Sequence, residues 1–387
     1  MIKIEKIWIE NTEEFSRCCC DISVDQDKRN VWFQVDREYG QYLCAERADA
    51  YVVGLLNWAM RENQNIISEI PVTEELLYNI NTILIPSLSR YGKSLHNIKV
   101  EAPHGETLVC GDYVGTGCSC GVDSFSAIKN HINTSYTEHN LTHLCINNVG
   151  SFNECYEDYG IEKVRKDRYQ AADAVAMELN LPIVKTDSNF AEVFPQNHYL
   201  SNTYSGCFAI YALQKMWKTY YLASVGLDYS KFSIINNDTE DSAHYDLLTL
   251  QCFSTSGLRI YSEGGEKTRL EKTKDIADME IARRYLHVCV RKTFNCGTCT
   301  KCRRTLLTLD LLDKLDDFSA VFDIKYYKEN KKEYYEWLCC QHYHGDEMNE
   351  PVYQGLYKRK EFRDMIRIKK ADQELKRIVR KGLHITG

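Results

Sequence analysis

The chain has 387 residues, 44% of them hydrophobic and 27% charged, which is ordinary globular composition and enough length for a sizeable core and two or three domains. A formal net charge of −7 argues against broad nucleic-acid binding, although a local basic groove stays open. No uninterrupted apolar stretch is long enough to span a bilayer, and seventeen cysteines scattered along so large a chain fit a reducing cytoplasm with most thiols buried.

Met1-Ile2-Lys3-Ile4-Glu5-Lys6 has no long apolar core of the kind an export signal needs. Ile2–Ile9 instead alternates apolar and polar, as a half-buried strand should. Further strands are expected at Cys20–Val24 and Asn30–Val35, separated by the polar turn Asp25-Gln26-Asp27-Lys28. Helices are expected over Glu46–Glu62 and Thr73–Arg90, the second with Thr73 as its N-cap, and a strand over Ile98–Ala102. Residues 1–105 read as a separate α+β accessory unit without a catalytic constellation. The triplet Cys18-Cys19-Cys20 lacks ligand spacing and reads as packing.

From residue 106 to 316 the pattern becomes α/β. Gly115-Thr116-Gly117-Cys118-Ser119-Cys120-Gly121-Val122-Asp123-Ser124 reads as a bend leading into a helix, and such a bend gathers partial positive charge where phosphate settles. Ser119 and Ser124 can donate hydroxyl hydrogen bonds, and Gly121 permits close backbone approach. An ordinary glycine turn capped by Asp123 or Ser124 would look the same. Strands at His143–Asn148, Pro182–Thr186 and Tyr220–Val225 alternate with helices at Gly160–Asn180 and Tyr204–Lys218. Apolar strands between amphipathic helices imply a parallel sheet covered on both faces, with ligands at the strands' carboxyl ends.

Asp241-Ser242-Ala243-His244-Tyr245-Asp246 gathers two carboxylates, an imidazole and a phenol, suited to Mg²⁺ or a polar substrate or equally to a capped polar loop. Arg269-Leu270-Glu271-Lys272-Thr273-Lys274 reads as a charged helix start. Cys296, Cys299 and Cys302 have C-x2-C-x2-C spacing, with Cys289 seven residues upstream. Four thiolates suit a closed tetrahedral Zn²⁺ site, with an iron–sulfur cluster as the rival. Lys292, Lys301, Arg303 and Arg304 would offset the negative charge of such a centre. The tail, residues 317–387, pairs aromatic runs such as Tyr334-Tyr335-Glu336-Trp337 with a basic run from Lys358 to Lys381, and reads as a helical extension. Cys339-Cys340 reads as incidental.

Ser119-Cys120-Gly121-Val122-Asp123-Ser124 resembles the SGGxDS loop of the PP-loop ATP pyrophosphatases, with cysteine in place of one glycine. Joined to Cys289 and Cys296-Gly297-Thr298-Cys299-Thr300-Lys301-Cys302-Arg303-Arg304, it resembles the QueC-like family of 7-cyano-7-deazaguanine synthases over about residues 110–315. That resemblance implies an adenine nucleotide α-hydrolase-like parallel sheet, ATP, Mg²⁺ and Zn²⁺ as cofactors, and ATP-dependent adenylation of a 7-deazaguanine carboxylate. A nitrogen nucleophile then displaces AMP. It assigns Ser119, Cys120, Gly121, Asp123, Ser124 and Asn147 to the nucleotide. Asp123, Ser124 and Lys272 fall to catalysis, and Asp241, Tyr245, Asp246 and Arg269 to the substrate. Partners are then a small deazapurine carboxylate, or a protein amine as in relatives from anti-phage operons, with a homodimer admitted. An RNA-modifying PP-loop enzyme and a non-catalytic nucleotide-binding scaffold are the other readings.

Overall fold

The structure, a computed structural model, describes residues 1–152, 160–224, 226, 228–234 and 241–367. The chain opens with an antiparallel meander of three strands, β1 (Ile2–Asn11), β2 (Phe15–Val24) and β3 (Asp27–Asp36). Each is longer than its sequence signal. Ile2 and Ile4 point into the core as the alternation requires, and a bulge between Ile4 and Lys6 resets the register. Cys18 and Cys20 face the same core from β2, so that part of the cysteine triplet is packing, as expected. The cysteines of the described residues are all free thiols.

Short strands follow: β4 (Ile66–Ser68), β5 (Val72–Thr73), β6 (Val100–Glu101) and β7 (His104–Gly105). The expected Thr73–Arg90 helix runs from Glu74 to Tyr91 but widens into a π-helical stretch over Ile80–Leu84. Pro86 explains the widening, because it has no N–H to donate and its ring crowds the carbonyl one turn earlier. Thr73 stands at the N-cap position without capping. Its hydroxyl donates instead to Oδ2 of buried Asp49 at 2.6 Å.

The second half supplies β8 (Tyr113–Gly117), β9 (His143–Asn148), β10 (Ile183–Ser188), β11 (Trp217–Ala223) and β12 (Arg259–Glu263). β5 and β7 pair with each other, and the other strands form one ten-stranded sheet in the order β12-β11-β8-β9-β10-β3-β2-β1-β4-β6. From β12 to β10 every neighbouring pair is parallel. Successive side chains of one strand go to opposite cores: Leu144 and Ile146 of β9 to one and Cys145 to the other, and likewise Tyr221 and Tyr220 of β11. The parallel half is therefore covered on both faces.

Three local expectations shift. Gly115 through Gly117 are strand, so the bend begins only at Cys118; a side chain on Gly115 would meet Trp217 at 2.8 Å and Tyr220 at 3.0 Å, so this glycine serves packing. The helix expected over Tyr204–Lys218 lies over His198–Ala212, and Lys218 belongs to β11. β12 had no counterpart in the sequence reading. Val225, the end of the expected last strand, and the basic run beyond residue 367 lie outside the described residues.

The boundary expected near residue 105 divides neither sheet nor core. β3 pairs antiparallel with β10, and Phe33 and Tyr51 share a cluster with Phe208 and Trp217. Residues 317–367 are helical, as expected, and their Tyr327, Tyr334 and Leu338 join the core that holds Cys289 and Cys302.

Candidate functional site

The parallel half places β8 between β9 and β11, so the chain moves one way across the sheet from β8 to β10 and then returns past β8. Where that direction reverses, the carboxyl ends of β8 and β11 leave a crevice between them, the place where open α/β sheets bind ligands. Thr116 Oγ1 donates to the Tyr221 carbonyl at 2.8 Å, and Cys118 N–H to the Cys145 carbonyl at 2.6 Å, fixing the end of β8 to both neighbours.

The loop Cys118–Gly121 then turns into the helix Val122–His131. Cys120 adopts φ 56°, a left-handed conformation that suits glycine and costs other residues roughly 1–2 kcal/mol. Its thiol is buried and its carbonyl accepts from His287 N–H at 2.8 Å, so packing and a hydrogen bond hold the strained residue in place. Gly121 is the helix N-cap and has no side chain to satisfy the first N–H groups. Ser119 is exposed at the tip; its Oγ lies 3.3 Å from that of Ser124, which donates to the Gly121 carbonyl at 3.1 Å. No side chain caps the first N–H groups of the helix, and Asp123 is the one carboxylate of Ser119–Ser124.

Asp123 points back towards the end of β11. Arg269 pairs with one carboxylate oxygen and Lys272 Nζ lies 3.2 Å from the other. Burial opposes its ionisation, but the charges of Arg269 and Lys272 hold the carboxyl far below the usual range. Lys272 is fully buried and donates to Ser224 Oγ at 2.7 Å. Both cations come from the helix Arg269–Ala277, whose entry is a capping box of Thr268 and Glu271. Two left-handed glycines let the backbone pass close to these cations: a side chain on Gly264 would sit 3.3 Å from Lys272 Nζ, and one on Gly226 3.3 Å from the Arg269 guanidinium.

Two more cations reach the crevice that the sequence did not single out for it. Arg168, buried on the helix Ile161–Leu179, donates to the Ser119 carbonyl. Arg304, on the helix Thr300–Leu311, donates to Asn349 Oδ1 at 3.0 Å and touches the Met348 thioether, while Asp346 is 3.8 Å away. Burial and the neighbouring Arg269 lower its pKa to about 10. Among these contacts Arg168, Arg269, Lys272 and Arg304 face only Asp123 and Asp346, a positive excess that an anion would neutralise. No sequence signal marked Arg168, which lies inside a regular helical pattern. Arg304 was legible only as a neighbour of the cysteines.

The four cysteine sulfurs lie within 4.8 Å of one another. Cys289 Sγ and Cys299 Sγ are 3.9 Å apart, close to the about 3.8 Å edge of a tetrahedron with Zn–S bonds of ~2.3 Å. Backbone N–H groups point at the sulfurs, from Lys292 to Cys289 at 3.3 Å and from Cys299 to Cys296 at 3.3 Å. Hydrogen bonds from the Cys289 and Cys302 thiols push the Cys299 thiol well below its ordinary value. The donor set fits a metal ion such as zinc, with no protein position left for a reacting water. Family models, curated proteins and solved structures were compared with the chain. None matches.

The remaining assigned residues make contacts of their own. Asp241 caps the turn Ser242–Tyr245, accepting from Ala243 N–H at 3.0 Å. Asp246 is buried and accepts from Thr203 Oγ1 at 2.6 Å, and burial raises its pKa well above the carboxylate range. Tyr245 is in the hydrophobic core. Asp241 and Asp246 belong to a network with Asn202, Thr203 and Ser242. Asn147 accepts from Thr186 Oγ1 at 2.9 Å across β9 and β10. Asp123, the carboxylate beside the loop, has both oxygens ion-paired; Mg²⁺ at nucleotide sites takes one or two carboxylates together with the phosphates themselves.

Proposed function

We propose that the chain is a PP-loop ATP pyrophosphatase of QueC-like type, which adenylates the carboxylate of a 7-deazaguanine and passes the acyl group to a nitrogen nucleophile. The observation that carries this reading is the meeting of Ser119–Ser124 with Asp123, Arg269 and Lys272 at the crevice between β8 and β11. A carboxylate is a poor electrophile because its hydroxide or oxide leaving group is a strong base. Attack of the carboxylate oxygen on the α-phosphorus of ATP forms the acyl–AMP bond and breaks the bond to pyrophosphate. Attack by an amine then releases AMP and leaves an amide.

The residues divide that work. The uncapped N–H groups after Gly121 and the Ser119 and Ser124 hydroxyls donate hydrogen bonds to the departing pyrophosphate, whose charge grows as it leaves. Lys272 and Arg269 neutralise the same charge, and Asp123 keeps both cations aimed before the nucleotide arrives. The thiolate site takes zinc as a structural ion, held by Cys289, Cys296, Cys299 and Cys302, and contributes stability rather than chemistry. A protein amine as acceptor is the second reading, favoured by the C-terminal segment Asp346–Asn349 lying against the crevice, where an added region would meet a bulky acceptor.

The test is product analysis with ATP, 7-carboxy-7-deazaguanine and either ammonia or a candidate acceptor protein. Pyrophosphate and AMP should form in a substrate-dependent manner, and Asp123→Ala should lower the rate by at least about a hundredfold, as loss of a charged group at a reacting centre does. Release of ADP alone, or nucleotide binding without turnover across the substrates, would overturn the proposal.

A further inference from the structure

The buried guanidinium of Arg304 has weak partners for its charge. Its hydrogen-bond acceptors are a neutral amide oxygen, Asn349 Oδ1, and a thioether sulfur, Met348 Sδ, which is a poor acceptor. The nearest carboxylate, Asp346, is 3.8 Å away and itself accepts from the Asn349 side chain and two backbone N–H groups. The side chain is 11% exposed, as is that of Arg269. Arg269 and the Met348 side chain that covers Arg304 meet at Gly226: the carbon that a side chain there would add lies 3.3 Å from Arg269 Nη1, 3.4 Å from Met348 Cε and 3.7 Å from Met348 Sδ, and that Sδ contacts Arg304. Bringing two like charges together out of water is unfavourable unless an anion joins them.

From this we infer that Arg304 and Arg269 form a two-arginine clamp for a diphosphate, with the Met348 side chain lying over Arg304 until that anion enters. A guanidinium presents a planar fork that matches phosphate oxygens in pairs, and a thioether is easily displaced because it carries no charge. The clamp lies beside the Ser119–Ser124 cradle, so it deepens the pyrophosphatase reading and rests on it. Asn349, almost wholly buried, is the residue that orients the Arg304 fork.

Titration calorimetry with inorganic pyrophosphate on the full chain, without and with the variants, tests this. Arg304→Gln should weaken pyrophosphate binding by ~10–100-fold, the loss of a charge-assisted pair of hydrogen bonds, with metal content unchanged. Met348→Ala, which removes the competing side chain, should leave binding equal or tighter. If Arg304→Gln fails to fold, Arg304→Lys serves in its place. It keeps the charge, loses the fork, and should weaken binding by ~3–10-fold. Wild-type binding that survives either Arg304 variant unchanged overturns the clamp and makes Arg304 a strut for the C-terminal segment. Absence of pyrophosphate binding in the wild type overturns the pyrophosphatase reading itself.

Discussion

Cys120 departs from glycine at a position whose backbone, at φ 56°, still asks for one. Cys120→Gly would relieve strain and lose a buried thiol, two effects of about 1 kcal/mol that oppose each other. Its unfolding free energy should stay within ~1 kcal/mol of the wild type in urea titrations. Cys120→Val adds a branched Cβ in the same conformation and should lose more than about 2 kcal/mol. The motif was legible because serine, glycine and aspartate at fixed offsets make loop chemistry visible. The conformation of the cysteine was not, since sequence carries no dihedral angle. His143 gives a pH signature. Burial among Tyr39, Tyr113 and Trp217 lowers its pKa to about 4. The unfolded chain therefore takes up a proton near pH 6.5 that the folded chain refuses, and stability falls as pH drops from 6.5 to 4. The loss attributable to this residue is at most about 3 kcal/mol, and His143→Phe should flatten that part of the stability–pH curve.

At the scale of elements, the cysteine cluster and the Cys118–Gly121 loop are joined by a short run of hydrogen bonds. Lys292 N–H bonds Cys289 Sγ, the Lys292 carbonyl meets His287 Nε2 at 3.0 Å, and His287 N–H holds the Cys120 carbonyl. Removing the metal with a chelator should therefore loosen two segments together. Amide exchange should speed up in Cys289–Cys302 and also in Cys118–Gly121, while β1 to β3 remain protected. The elements themselves were readable where local pattern governs them: the β1 alternation, the Ile161–Leu179 helix, the cysteine spacing. They were misread where tertiary contacts decide. The His198–Ala212 helix begins six residues earlier than expected because Asn197 caps it by accepting from Tyr199 N–H, and β12 is a strand only because β11 supplies its partner. Asp241–Asp246 suited a ligand set or a capped polar loop equally by composition, and Asp241 does cap the turn while Asp246 accepts from Thr203.

Across the whole molecule, the crevice draws on parts far apart in sequence: the loop after β8, the ends of β11 and β12, the helix that follows the cysteines, and a segment near residue 348. Pairwise spacing could not announce such a meeting, and Arg168 and Arg304 stayed hidden for that reason. The antiparallel contact of β3 with β10 has a practical consequence for anyone who cuts the chain. A fragment starting at residue 106 would bare the ladder groups of Thr186 and Ser188, and strip Phe208 of Phe33 and Tyr51, and Phe190 of the helix at Gly54. An uncovered edge beside an uncovered oily face invites copies to zip together. Such a fragment should elute from size-exclusion columns as aggregate, and co-expression with residues 1–105 should restore a soluble, heat-cooperative species.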